Sequence, residues 1–186
     1  LLFLWETLCR QNYLPRYLIP SPSDIINAYI ENPQTFRLAF LETAMSSFFG
    51  FILSAIIGIS LGAVLNLSPL LNRLIFPVAR FFQTVPIIAI APLLVIYFGF
   101  GDTTVIAASF IVSLFPMIAT TVVGLESTPA EYVELYQYGH SSKLRMLFEL
   151  RIGFALPILF SGFRICSGLA VIGAIAGEFV AGGGLG

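Results

Sequence analysis

Apolar residues in this chain come in long unbroken blocks with no period-2 or period-3.6 alternation. Residues 43–65 and 103–125 carry no charge at all, residues 74–101 carry only Arg80, and residues 152–177 carry only Arg164. A helix crossing a bilayer needs about 20 mostly apolar residues. The four blocks therefore predict four membrane-spanning helices, and residues 1–8 read as the tail of an earlier span. Ser21-Pro22-Ser23-Asp24 offers a Ser cap, Pro at the first helical position and an acid at the third, which predicts a short helix before the first long span. Thr128-Pro129-Ala130-Glu131 repeats that pattern and predicts a second start with Thr128 as the cap.

Prolines and small residues refine the picture. Pro77, Pro86 and Pro92 fall in the block at 74–101, and Pro116 falls in the next. Each frees a backbone carbonyl that lipid cannot satisfy, so these helices are expected to face protein or a water-filled path, with kinks near Pro86 and Pro92. Ser46, Gly50, Ser54, Gly58 and Gly62 recur every four residues and form a stripe suited to close helix–helix approach, and Gly173 and Gly177 repeat the pattern later. The competing reading is that glycine is simply common in membrane helices.

Composition agrees with a membrane location. The chain is 58% hydrophobic and 10% charged, with a mean hydropathy of +0.93, whereas soluble domains carry roughly 25% charged residues. A net charge of −1 leaves no footprint for nucleic acid. Cys9 and Cys166 give neither a disulfide framework nor a metal spacing. The chain begins without Met and stops in Gly182-Gly183-Gly184-Leu185-Gly186, so it reads as a single membrane domain, residues 1–186, cut at both ends.

Charge gathers instead at residues 126–151, where Glu126, Glu131, Glu134, Lys143, Arg145, Glu149 and Arg151 all lie. The positive-inside rule places this loop in the cytoplasm, because Arg73, Lys143, Arg145 and Arg151 share one side. The opposite side has no Lys or Arg in its short loops, against Arg10, Arg16 and Arg37 in its longer one. Within the loop, Tyr132, Leu135 and Tyr136 mark one short helix, and Leu144, Leu147 and Phe148 mark another. Gly139-His140-Ser141-Ser142 separates them. Such a pair of helices is either a connector resting on lipid headgroups or a docking element for a soluble partner.

Three other features bear on chemistry. Gly99-Phe100-Gly101-Asp102 spells an intramembrane aspartyl-protease signature, but the other Asp, Asp24, falls in an external loop, so the paired carboxylates are missing. Asp102 is expected to cap the helix starting at Thr103. No phosphate-binding glycine loop with a lysine is present, so no catalytic, metal or cofactor residue is assigned and any ATP is hydrolysed elsewhere. Arg164, halfway along its span, is costly in hydrocarbon, about 2.5–3.5 kcal/mol on insertion scales. It either lines a path for solute or ion, or it snorkels or pairs with freed carbonyls. Gln83, Thr84 and Pro86, on the proline-rich helix, and Glu178, at the outer end of the last span, are further path candidates.

On these residues the chain resembles the permease subunits of bacterial ABC importers. Their cytoplasmic motif is Glu-Ala-Ala, three residues, Gly, then a segment ending in Leu-Pro. Here stand Glu134-Leu135-Tyr136, Gly139-His140 and Ala155-Leu156-Pro157. Leu18-Ile19-Pro20-Ser21-Pro22-Ser23 is similar to the entry of the nitrate, sulfonate and taurine branch. Gln83-Thr84-Val85-Pro86, Ala91-Pro92-Leu93 and Tyr97-Phe98-Gly99-Phe100-Gly101 are similar to its third membrane helix. Ser161-Gly162-Phe163-Arg164-Ile165 and Ala176-Gly177-Glu178 are similar to its fifth. The chain departs from the pattern in three ways. Glu-Ala-Ala is Glu-Leu-Tyr, Gly153 stands in place of Pro, and the register can be set on either Glu134 or Gly139.

The resemblance implies an all-α polytopic bundle of the type I importer permease fold, multi-pass in the cell inner membrane, with a cytoplasmic coupling helix between spans. It implies an ATP-binding cassette ATPase, a second permease copy, an external substrate-binding protein and the lipid bilayer as partners. ATP would be bound by the partner subunit. Glu131, Tyr132, Glu134, Leu135, Tyr136, Gly139, His140, Lys143 and Arg145 would meet the ATPase. The solute would be nitrate, a sulfonate, taurine or a pyrimidine precursor of thiamine. The alternatives are an ion-gradient-driven transporter, which calls for midplane carboxylates not found between Thr43 and Gly101, and a structural membrane protein.

Overall fold

The computed structural model describes residues 2–11, 19–139 and 142–185. It resolves into two compact units, one up to Leu41 and one from Glu42 onward. The first holds α1 (Leu2–Arg10), α2 (Pro22–Glu31) and the start of α3 (Pro33–Leu67). The predicted cap of α2 is present in full. Ser21 Oγ accepts from the Asp24 N–H at 3.2 Å, and Asp24 accepts from the Ser21 N–H at 3.2 Å. Glu6 reaches across from α1 and accepts from the Ser23 N–H and hydroxyl at 3.1 and 2.7 Å.

The second unit contains the rest of α3, α4 (Pro69–Phe82), α5 (Ile87–Phe98), α6 (Asp102–Glu126), α7 (Ala130–Tyr138), α8 (Lys143–Met146) and α9 (Ile152–Ala181). Residues Leu147–Arg151 form a π-helical turn that joins α8 to α9 without a break, giving one helix from Lys143 to Ala181. Among the described residues, α3, α6 and this long helix are each apolar and long enough to cross a membrane. The pair α4 and α5 makes a fourth crossing if its bend is included.

The stripe of small residues does what its spacing predicts. Ser46, Gly50, Ser54, Gly58 and Gly62 are all buried. A Cβ on Gly50 would fall on the Ser109 side chain, on Gly58 it would meet Met117 at 2.7 Å, and on Gly62 Thr121 at 2.6 Å. α3 thus lies against α6 through its smallest side chains, because only they let the two backbones approach. α6 and α9 pack along most of their length. Gly162, Gly173 and Gly177 of α9 meet Thr120, Ser109 and Ala108 respectively. Apolar clusters fill in around these seams: Leu125, Leu147, Ala155 and Leu159 at one level, and Val105, Ala174 and Ala181 at another.

The expected kink near Pro86 is present as a sharp break, and four other local expectations are corrected. The block at 74–101 is two helices that meet at 98°. Pro86 has no N–H to continue the ladder, and it pushes Val85 out of the helical region. The Thr84 N–H folds back to Phe81 O at 3.0 Å, and its hydroxyl donates to the same oxygen at 2.7 Å. Pro92, by contrast, sits inside α5 and the helix runs through it. Thr128 does not cap α7, which starts after Pro129, because its hydroxyl donates back to Leu125 O at 3.3 Å. Asp102 is the first residue of α6, with Gly101 before it at φ 104, so its side chain does not cap. Finally, the second short helix of the polar loop is the beginning of the α9 rod and not a separate element.

The α5–α6 corner is closed by the fully buried Thr104. Its hydroxyl donates to Gly99 O at 2.5 Å and lies 3.5 Å from Leu94 O. Gly99 and Gly101 hold φ of 80 and 104 there, conformations that side chains resist. Thr104→Val keeps the shape and removes the donor. It is expected to lower stability by about 1 kcal/mol, the net worth of one hydrogen bond, measured as a reduced melting temperature of the detergent-solubilised protein.

Candidate coupling loop and path-facing residues

The charge cluster of residues 126–151 divides into internal ties and free ends. Arg145 Nε donates to both carboxylate oxygens of Glu149 at 2.9 Å. Arg151 Nη1 donates to Asn66 Oδ1 at 2.7 Å, and Lys143 Nζ to Leu67 O at 3.5 Å, so both cations hold the C-terminal end of α3, where a helix dipole favours them. A hollow of about 150 Å³ lies at this junction, lined by Asn66, Leu67, Gln137, Lys143 and Arg151 among others. Asn72 donates to Glu126 at 2.9 Å. Glu131 and Glu134 remain exposed on α7 with no partner among the described residues. His140 lies outside the described residues, and Gly139 ends α7 by donating its N–H to Leu135 O at 3.2 Å.

α7 buries none of its residues. Leu135 is 66% exposed and Tyr138 82%, which makes them the outward apolar pair. Tyr138 was not among the sequence candidates, although its i+3 spacing from Leu135 puts the two on neighbouring positions of one face. Tyr132 turns the other way. Its ring lies 5.3 Å from that of Phe154 on α9, tilted by 43°. Tyr136 is half-buried. The ridge expected from Tyr132, Leu135 and Tyr136 is therefore split between an outer and an inner side.

The path candidates lie at three separate places. Gln83, Thr84 and Pro86 are exposed at the α4–α5 bend. Gln83 lines a cleft of about 90 Å³ with Phe82, Ile87, Ile90, Ile111 and Phe115. Arg164 is exposed on the face of α9 turned away from α6, flanked by Pro157, Ser161, Ser167 and Gly168; its carbonyl accepts from the Ser167 hydroxyl at 3.0 Å, and its guanidinium has no hydrogen-bond partner among the described residues. Glu178 is 2% exposed, and its carboxylate accepts from the Leu185 N–H at 3.1 Å. It stands about 21 Å along the helix from Arg164, at 1.5 Å per residue. Glu178 is thus a buried anchor of the glycine turn, which corrects the expectation of an entrance-lining side chain.

A bundle of apolar membrane helices, bent at a proline break, with a short exposed helix set in a polar loop, defines a polytopic helical membrane domain. The profile of the family described as "binding-protein-dependent transport system inner membrane component" matches residues 44–186. A probable ABC transporter permease of Haemophilus influenzae is 32% identical over 97% of this chain and 74% of its own length. A formylaminopyrimidine transport permease of Halalkalibacterium halodurans is 32% identical over 97% and 72%. A riboflavin transport system permease of Chloroflexus aurantiacus is 32% identical over 98% and 69%. The chain belongs to this family: it is a permease subunit of an ABC importer, a transport component multi-pass in the cell inner membrane. Membership implies an ATPase and a substrate-binding protein as partners.

Proposed function

We propose that this permease carries a small nitrogen-containing heterocycle and couples its passage to a separate ATPase through α7. The observation that carries the coupling is the exposed pair Leu135 and Tyr138 on a helix none of whose described residues is fully buried. A helix with an unburied apolar face, set in a loop between membrane spans and rimmed by Glu131 and Glu134, is suited to a groove on a soluble partner. The face of α9 bearing Arg164 meets a second copy across the path, and residues 126–151 lie in the cytoplasm. Support for the solute comes from two of the relatives that match 97–98% of the chain, whose names give formylaminopyrimidine and riboflavin. A nitrate permease matches 87% of it and a bicarbonate permease 72%.

Leu135→Ala with Tyr138→Ala is expected to weaken retention of the ATPase about tenfold or more, since truncated hot-spot side chains cost over 1 kcal/mol each. Copurification from membranes in mild detergent measures this. Undiminished ATPase in the variant would overturn the assignment of α7. Binding-protein-dependent uptake of radiolabelled formylaminopyrimidine, with nitrate as the comparison, tests the solute. Uptake of nitrate alone would replace the heterocycle by the anion.

A further inference from the structure

We propose that the ring contact between Tyr132 and Phe154 is the positioning contact through which α7 moves α9. This rests on the reading that α7 docks the ATPase. It adds where the motion enters the membrane helices.

Three observations meet at this point. First, the Tyr132 ring sits 5.3 Å from Phe154, which stands three residues past the π-helical turn. This ring contact joins α7 directly to a membrane helix. Second, the helix is soft where the grip is applied. Gly153 has nothing within 4 Å of an added Cβ, and the Pro157 ring excludes the hydrogen bond to the Gly153 carbonyl. Third, the segment before the soft stretch is fixed. Met146, Leu147 and Leu150 are buried, and Lys143 and Arg151 hold the end of α3.

A force on α7 therefore meets a clamped segment on one side and a compliant one on the other. The ring pair applies it to the compliant side, beyond the clamp. α9 then turns or tilts about the soft stretch, and with it the exposed face that carries Arg164. Phe154 contacts neither solute nor nucleotide in this scheme. It positions α9.

The test uses the permease assembled with its ATPase in lipid nanodiscs. Cys9→Ser and Cys166→Ala remove the native thiols, and Ser167→Cys reports on the α9 face. The rate of labelling by a membrane-impermeant maleimide is compared without nucleotide and with ATP plus vanadate. We expect the rate to change with nucleotide in this background. Phe154→Ala should shrink that change about two- to tenfold, in line with the energy of an aromatic pair, while the ATPase is retained in full. Tyr132→Ala should do the same from the other side. The double variant should be no worse than either single one, since both remove one interaction. Phe154→Tyr should restore the response, and Phe154→Leu should not.

An undiminished response in Phe154→Ala, or additive losses in the double variant, would overturn the proposal. So would loss of the ATPase in Phe154→Ala, because the ring would then serve docking. A reporter that ignores nucleotide while the ATPase is bound shows that α9 does not move this way. Absence of the ATPase from the unaltered complex defeats the docking reading itself, and the proposal with it.

Discussion

Gly173→Ala is expected to destabilise the membrane bundle by about 1–3 kcal/mol, the range for overpacking a tight core. The added methyl would lie 2.9 Å from Ala108 O, 2.9 Å from Ser109 Cα and 3.2 Å from Ser109 N. All three are backbone atoms or Cα, so no side-chain rotation relieves them. α6 and α9 must separate along a seam that runs most of their length. Ser109 is also where α3 touches α6, since a Cβ on Gly50 would meet its hydroxyl and Cβ within 2.5 Å. One residue of α6 is thus held between a glycine of α3 and a glycine of α9, and pushing on one side disturbs the other. Gly153→Ala and Gly168→Ala serve as controls, because neither Cβ has a neighbour within 4 Å. Melting temperatures in detergent should fall for Gly173→Ala and Gly50→Ala and hold for the controls. Equal stability of Gly173→Ala and Gly168→Ala would mean that the seam is looser than this packing.

The contrast shows which parts of the bundle were legible in the sequence. A glycine every four residues has a direct geometric meaning, and the stripe at Ser46, Gly50, Ser54, Gly58 and Gly62 lies buried as its period implies. The span boundaries follow from hydropathy for the same reason. What a hydropathy reading misses is backbone geometry inside an apolar block. Nothing in residues 74–101 separates Pro86, which ends a helix, from Pro92, which sits within one. The difference lies in the folded-back turn at Gln83 and Thr84. The π-helical turn at Leu147–Arg151 has no compositional mark either, and without it α8 and α9 read as two elements. Side-chain direction was half legible. Aromatic residues at Tyr132 and Tyr136 announce an apolar face, but only the packing of Phe154 shows that Tyr132, half exposed, leans on α9 while Leu135 and Tyr138 stand further out. The charges at Lys143 and Arg151 look like a solvated rim in sequence, and their use at the end of α3 depends on a contact 76 or 85 residues away.

Glu178→Ala should cost about 1–3 kcal/mol, the worth of a hydrogen bond to a charged acceptor, because it takes one of two acceptors from the Leu185 N–H. The chain leaves α9 through Gly182, Gly183 and Gly184 at φ of 77, 99 and 57, a run that only glycines hold without strain. That turn aims successive N–H groups at carboxylates. The Gly184 N–H donates to Glu42 at 3.1 Å, and the Leu185 N–H is shared between Glu178 at 3.1 Å and Thr43 Oγ1 at 3.0 Å. Glu178 therefore ties the end of α9 to α3 through the turn. A Cβ at Gly184 would fall on its carboxylate, so the fit leaves no room for a side chain there. Glu178→Gln keeps an acceptor oxygen of the same reach and should lose much less stability than the alanine variant. Limited proteolysis at the turn and the melting temperature report the order expected: wild type, then Gln, then Ala. A side chain that lined the solute path would give the opposite signature, with Glu178→Gln crippling uptake and neither variant melting earlier. That result would move Glu178 out of the scaffold and back among the residues that meet the solute.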